Sequence, residues 1–186
     1  MSKLGSVSLA AGAMAAMLAS GVGAVEVVIG PALAERCQEA ATGRLRGADT
    51  LDVCNRALRE QVLFGHNLAA THVNRGVVLV YRGDYAAARD DFQRAIEIEP
   101  KLGEAYVNRG IAQLRMGELQ AAVADIDRGL ALGVAAPERA YFNRAQAREG
   151  LSDVQGAYRD YRRAAELRPE WDSPRRHLER FRLVRR

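Results

Sequence analysis

The sequence predicts an all-α chain, an array of helix–turn–helix repeats closed by a C-terminal capping helix. Three observations predict it. The chain is rich in alanine, only 6% aromatic, and broken by five prolines in 186 residues. Alanine is the strongest helix former and lets helices approach closely. Self-similarity recurs at a fixed period, since Asn74, Asn108 and Asn143 each open an Asn-Arg-Gly or Asn-Arg-Ala triplet, 34 and 35 residues apart. Small residues recur in the same register: Gly76, Ala88 and Ala95, then Gly110, Ala122 and Gly129, then Ala145, Ala157 and Ala164.

Residues 1–24 form a segment of their own. Lys3 supplies a positive start, an apolar alanine-rich run follows to about Leu18, and Ser20-Gly21-Val22-Gly23-Ala24 offers small residues for signal-peptidase cleavage after Ala24. An alternative site, Ala32-Leu33-Ala34, leaves Glu26 inside the apolar run. An uncleaved membrane anchor is the competing reading. Either one exports the remainder, because Lys3 stays inside, so the expected location is the periplasm. Val25-Glu26-Val27-Val28-Ile29-Gly30 is too apolar for a free tail and is expected to dock on the array.

Residues 25–68 hold this segment and a degenerate partial repeat, with helices expected over 32–42 and 50–61. Aligning Ala57 with Ala95 places Cys54 where Phe92 stands and Cys37 where Arg75 stands. These are the two cysteines of the chain. An even count in an exported protein predicts a disulfide across an antiparallel helix pair. It closes a loop of about 17 residues and stabilises by roughly 3 kcal/mol. Reduced core thiols are the alternative; no CxxC and no histidine at ligand spacing points to a metal.

Three full repeats follow, over 69–102, 103–137 and 138–171. Helices A are expected at 69–82, 103–116 and 138–149, and helices B at 85–98, 119–132 and 153–167. Gly83, Gly117 and Ser152 stand at the tight turns, with Asp84 and Asp153 placed to cap the following helix. The one extra residue falls in the loop 133–137, where insertion costs little. Residues 172–186 form a basic capping helix with Leu178 and Phe181 on one side, polar outside as a repeat array needs at its end. Trp171 is expected to pack this cap on the third repeat. Its arginines are read as a solvated face, with an acidic partner or an anionic membrane surface as the alternative contact.

The small positions, the Asn-Arg pair and the closing prolines Pro100 and Pro169 resemble the tetratricopeptide-repeat (TPR) family over residues 69–169. Within it the chain is similar to exported, periplasmic alphaproteobacterial members. The resemblance implies a right-handed α-solenoid whose concave groove, lined by helices A, holds a peptide or helix of a partner protein. Asn74, Asn108 and Asn143 face that groove in the family, and Val77, Ile111 and Phe142 would add apolar surface; internal hydrogen bonding is the alternative use of the asparagines. Departures are Val134 where the family has proline and His72 at an aromatic position. Family members that grip a C-terminal carboxylate need groove cations. Ala70 and Glu104 stand there instead, and only Arg139 fits.

Arg75, Arg109 and Arg144 occupy a position that is apolar in the family, and Asp91, Asp125 and Asp160 follow each by sixteen residues. That offset sets each aspartate on helix B opposite its arginine on helix A, which predicts three structural ion pairs. His66, His72 and His177 form no catalytic order, and no Gly-rich phosphate loop is present. The expectation is a non-enzymatic interaction module without cofactor or metal. A net charge of +4 with interspersed signs and no aromatic interleaving argues against nucleic acid. Two alternatives stay open: a self-assembling structural protein and an accessory subunit of a cell-envelope enzyme.

Overall fold

The computed structural model describes residues 32–43, 45, 47 and 49–181. Nine helices follow one another among them, without a strand. The partial unit is α1 (Leu33–Ala41) with α2 (Thr50–Glu60). The three full units pair α3 (Gly65–Arg82) with α4 (Tyr85–Ile98), α5 (Gly103–Met116) with α6 (Leu119–Leu132), and α7 (Pro137–Gly150) with α8 (Val154–Leu167). The cap is α9 (Asp172–Leu178). The expected export segment 1–24, the segment 25–30 and residues 182–186 lie outside the described residues. No described helix is long and apolar enough to cross a membrane.

The core is built from the register of small and large residues. Phe92, Ile126 and Tyr161 are each fully buried on a helix B. Each is met from helix A by a residue with little or no side chain, Gly76, Gly110 or Ala145. A methyl group at Gly76 would stand 2.5 Å from the Phe92 ring, and one at Gly110 would stand 2.7 Å from Ile126. The helices cross this closely because nothing separates them, and the large residue fills the crossing at interior packing density.

The turns between helices A and B are reversed by left-handed backbone at Gly83 (φ +84), Gly117 (φ +81) and Ser152 (φ +64). Asp153 caps α8 by accepting from the Gly156 amide at 2.9 Å. The expected cap at Asp84 is absent: Asp84 stands at the N-cap of α4 without a side-chain bond. The Asp153 carboxylate lies close over Gly156, where a Cβ would sit 2.0 Å away; Ala87 holds the equivalent place in α4. The first helix also starts one turn earlier than expected, at Gly65 rather than Ala69. His66 in that extra turn meets the Glu99 carboxylate at 2.8 Å.

Helices α3, α5 and α7 contact one another in succession as well as their own partners, whereas the B helices make no comparable contact with each other. Helices that touch lie on the inside of a curve, so the A helices line the concave face of the solenoid. At the N-terminal end the Cys37–Cys54 disulfide joins α1 to α2 across 4.7 Å between Cα atoms. Both cysteines are fully buried with Val53 and Val78, and Val77 and Leu51 pack against that cluster. Gln61 fastens the far end of the unit by accepting from the Ala34 amide at 2.9 Å.

Candidate functional site

The arginines and aspartates of the three repeats form matching bidentate pairs. Arg75 donates to Asp91 at 2.6 and 2.7 Å, Arg109 to Asp125 at 2.6 Å through both nitrogens, and Arg144 to Asp160 at 2.6 and 2.8 Å. Each aspartate is buried. Two parallel charge-assisted bonds fix the angle between helices A and B. Burial alone raises the Asp91 carboxyl, but Arg75 and then His72 outweigh it and hold Asp91 below the ordinary carboxylate range. Asp160, with Asp127 behind it, likewise outweighs burial and raises the Arg144 guanidinium.

Each arginine also reaches back to the preceding unit, a link that the spacing of Arg and Asp does not announce. Arg75 donates to Asn55 on α2 at 3.1 Å, Arg109 to Gln93 on α4, and Arg144 to Asp127 on α6. Asn55, Gln93 and Asp127 occupy one repeat position, immediately after Cys54, Phe92 and Ile126. The signal in the sequence is a hydrogen-bond acceptor at that position, spread over three residue types. The departure at His72 finds its reason here too. Tyr106 and Tyr141, its equivalents, lie under Arg109 and Arg144 with 5.6 and 5.1 Å from guanidinium carbon to ring centroid. His72 instead brings Nδ1 to 3.0 Å from Asp91.

The six expected groove residues separate into three groups. Asn74 and Asn108 are half-buried on α3 and α5, and among the described residues neither amide has a hydrogen-bond partner. Asn143 is turned inward on its own helix, donating to the Arg139 carbonyl at 2.8 Å. Ile111 is partly buried and packs on Val107, Ile126 and Ala140. Val77 and Phe142 are partly buried as well. Val77 packs against both the disulfide cluster and the Phe92 cluster. Phe142 is covered from the C-terminal side, with its ring 4.7 Å from Trp171, 5.3 Å from His177 and 5.6 Å from Tyr161. The cap therefore packs on Phe142 of repeat three, and the amides that no described residue engages are those of Asn74 and Asn108 in repeats one and two. Glu104, on the same face, accepts from the Ala135 amide at 3.1 Å and holds the loop after α6.

Paired helices stacked through a conserved-geometry seam, with the A helices inside the curve, define an α-solenoid of helical-hairpin repeats. The chain is a tetratricopeptide-repeat protein: the family described as TPR repeat matches residues 76–117, and that described as Tetratricopeptide repeat matches residues 138–170. Among solved structures it is similar to the first TPR of Spaghetti (RPAP3) bound to the HSP90 peptide SRMEEVD, at 25% identity over 62% of this chain and 91% of that one, with a TM-score of 0.59. The first TPR domain of human RPAP3 matches at 26% identity over 62% of this chain and 90% of that one, with a TM-score of 0.58. A MamA RS-1 double mutant shares the fold at 21% identity over 78% of this chain and 81% of that one, with a TM-score of 0.63. No curated protein sequence matches this chain.

Proposed function

We propose that the chain is a non-enzymatic interaction module of the cell envelope that holds a peptide or helix of a partner protein in the concave groove. One observation carries this reading: Asn74 and Asn108 stand one repeat apart on the concave face with amides that no described residue engages. An amide donates and accepts, so two of them in register match the alternating groups of a partner backbone. Half-buried amides left without an internal partner gain one when a ligand arrives. A TPR domain that matches 62% of this chain at 25% identity holds the HSP90 peptide SRMEEVD, which supports a peptide as the ligand class. Glu104 is engaged with the loop after α6 and Ala70 carries no charge, so the groove favours backbone and apolar contacts over a terminal carboxylate. Export to the periplasm rests on the pattern of residues 1–24.

The test is photo-crosslinking in cells from a photoreactive residue at Asn108. Capture of one envelope protein, abolished by Asn74→Arg with the helical signal unchanged, supports the reading. Capture of a second copy alone points to self-assembly. Capture that Asn74→Arg leaves untouched removes the groove from consideration.

A further inference from the structure

In the second repeat the residue opening helix B, Leu119, is partly covered from the following unit. A methyl group on Gly150 of α7 would stand 2.7 Å from its side chain. Val154 opens α8 at the same repeat position, and no full A helix follows. The cap α9, seven residues long, leaves Val154 58% exposed. The result is a cleft of about 520 Å³ walled by Val154, Tyr158 and Phe181, with Gln155, Arg159 and Glu149 among its polar lining. Glu149 is already occupied, accepting from the Tyr161 hydroxyl at 2.8 Å and from Arg180. Arg159 has no partner among the described residues.

The hydrogen-bond acceptor found at every earlier seam is replaced at this end by a cation. Units before it present Asn55, Gln93 or Asp127 to the incoming arginine. The same position on α8 is Arg162, two-thirds exposed and bonded only to Glu166 on its own helix. A second copy of this chain's repeats would bring another arginine against it, so like-charge repulsion opposes continued stacking. Arg175 and Arg176 add cations with no carboxylate partner on α9. A flat anionic headgroup layer needs cations but no apolar recess, whereas this surface has both.

We propose that the α8–α9 cleft is a second docking surface, for an acidic partner peptide that seats one large apolar side chain against Val154, Tyr158 and Phe181. Its carboxylates lie over Arg159 and Arg162, at the place where a further repeat would stand.

The experiment measures fluorescence anisotropy of a labelled probe peptide, Glu-Glu-Asp-Phe-Glu-Glu, on the full chain beside its counterpart with lysine at every acidic position. The acidic probe is expected to bind and the lysine probe not to. Val154→Glu, which sets a carboxylate in the recess, is expected to weaken binding about ten-fold or more. Val154 is exposed in the first turn of α8, where an acidic residue suits the helix dipole, so this variant folds; Arg159→Glu serves as a second one. Asn74→Ala with Asn108→Ala is expected to leave this affinity unchanged, which separates the cleft from the groove. Equal binding of both probes overturns the assignment, as does unchanged affinity in Val154→Glu. Capture of the chain by phosphatidylglycerol vesicles, undiminished by Val154→Glu and without probe binding, also overturns it in favour of a membrane.

Discussion

Arg109 is satisfied on three sides: by Asp125 within its repeat, by Gln93 in the repeat before, and by the Tyr106 ring. Removing it leaves a buried carboxylate without a counter-charge. Arg109→Ala is expected to lower stability by about 3 kcal/mol in urea unfolding. Replacing Arg109 and Asp125 together by Met and Leu is expected to cost far less, because no charge is then stranded. Arg109→Lys is expected to recover only part of the loss, since an ammonium lacks the planar fork that meets both carboxylate oxygens. Asp91 makes a matching prediction in pH. Its folded carboxyl is held below the ordinary value by Arg75 and His72, so the unfolded chain takes up the proton first as pH falls. The stabilisation is complete above the ordinary carboxylate value, about 4, and is lost as pH drops through the depressed one. Unfolding midpoints followed from pH 7 to 3 are expected to fall less steeply in Asp91→Asn, which starts lower at pH 7.

Among the elements, α9 is the one whose attachment can be read directly. His177 stacks on Tyr161 at 4.6 Å between ring centroids and meets Phe142 edge-on. Burial, and then the neighbouring Arg176, lower the His177 pKa; Glu149 at 3.9 Å and Arg180 are the other charged groups facing it. A histidine with a lowered folded value stabilises docking above its ordinary value, about 6.5, and loses that contribution as pH falls through the folded one. Trp171, the single tryptophan, lies against Phe142 in the same cluster and reports the docking. Its emission is expected to shift toward that of exposed indole between pH 7.5 and 5, and Phe at position 177 (His177→Phe) is expected to abolish the shift. Tyr161, pushed up to about 12 by burial, stays a donor to Glu149 throughout that range. This cap also shows where sequence reasoning stopped. Its existence, and the packing of Trp171 on repeat three, follow from the hydrophobic pattern after Pro169. That it covers Phe142 does not, because a family position says which way a side chain faces and nothing about what lies over it. The helix boundaries were legible from period and turn residues, and the Arg–Asp partners from their constant offset. The acceptors Asn55, Gln93 and Asp127 were hidden by their differing chemistry, and the missing cap at Asp84 by its likeness in sequence to Asp153, which does cap.

For the molecule as a whole, each repeat touches only its neighbours, so stability is a sum of units and seams. The buried cluster of the partial unit holds no aromatic, leucine or isoleucine, only cysteines, alanines and two valines, and it carries the disulfide. Reducing Cys37–Cys54 is expected to destabilise it by about 3 kcal/mol while leaving the rest folded. Hydrogen exchange should then accelerate across α1 and α2 and stay slow in α5 to α8; uniform acceleration would show instead that the array unfolds as one block. The seams themselves differ in kind. Two are closed by a neutral amide under the arginine, at Asn55 and Gln93, and one by a carboxylate, at Asp127, which is 47% exposed and also lies 3.9 Å from Arg148. Dissolved ions weaken attraction between exposed charges and leave amide bonds nearly untouched. Among the described residues the arginine seam between the second and third repeats is thus the one closed by a charge, with the exposed Arg89–Glu118 pair at 3.5 Å a lesser salt-sensitive contact between the first and second, and a strong brine is expected to loosen the joint that carries the capped third of the molecule more than the two sealed under their arginines by amides.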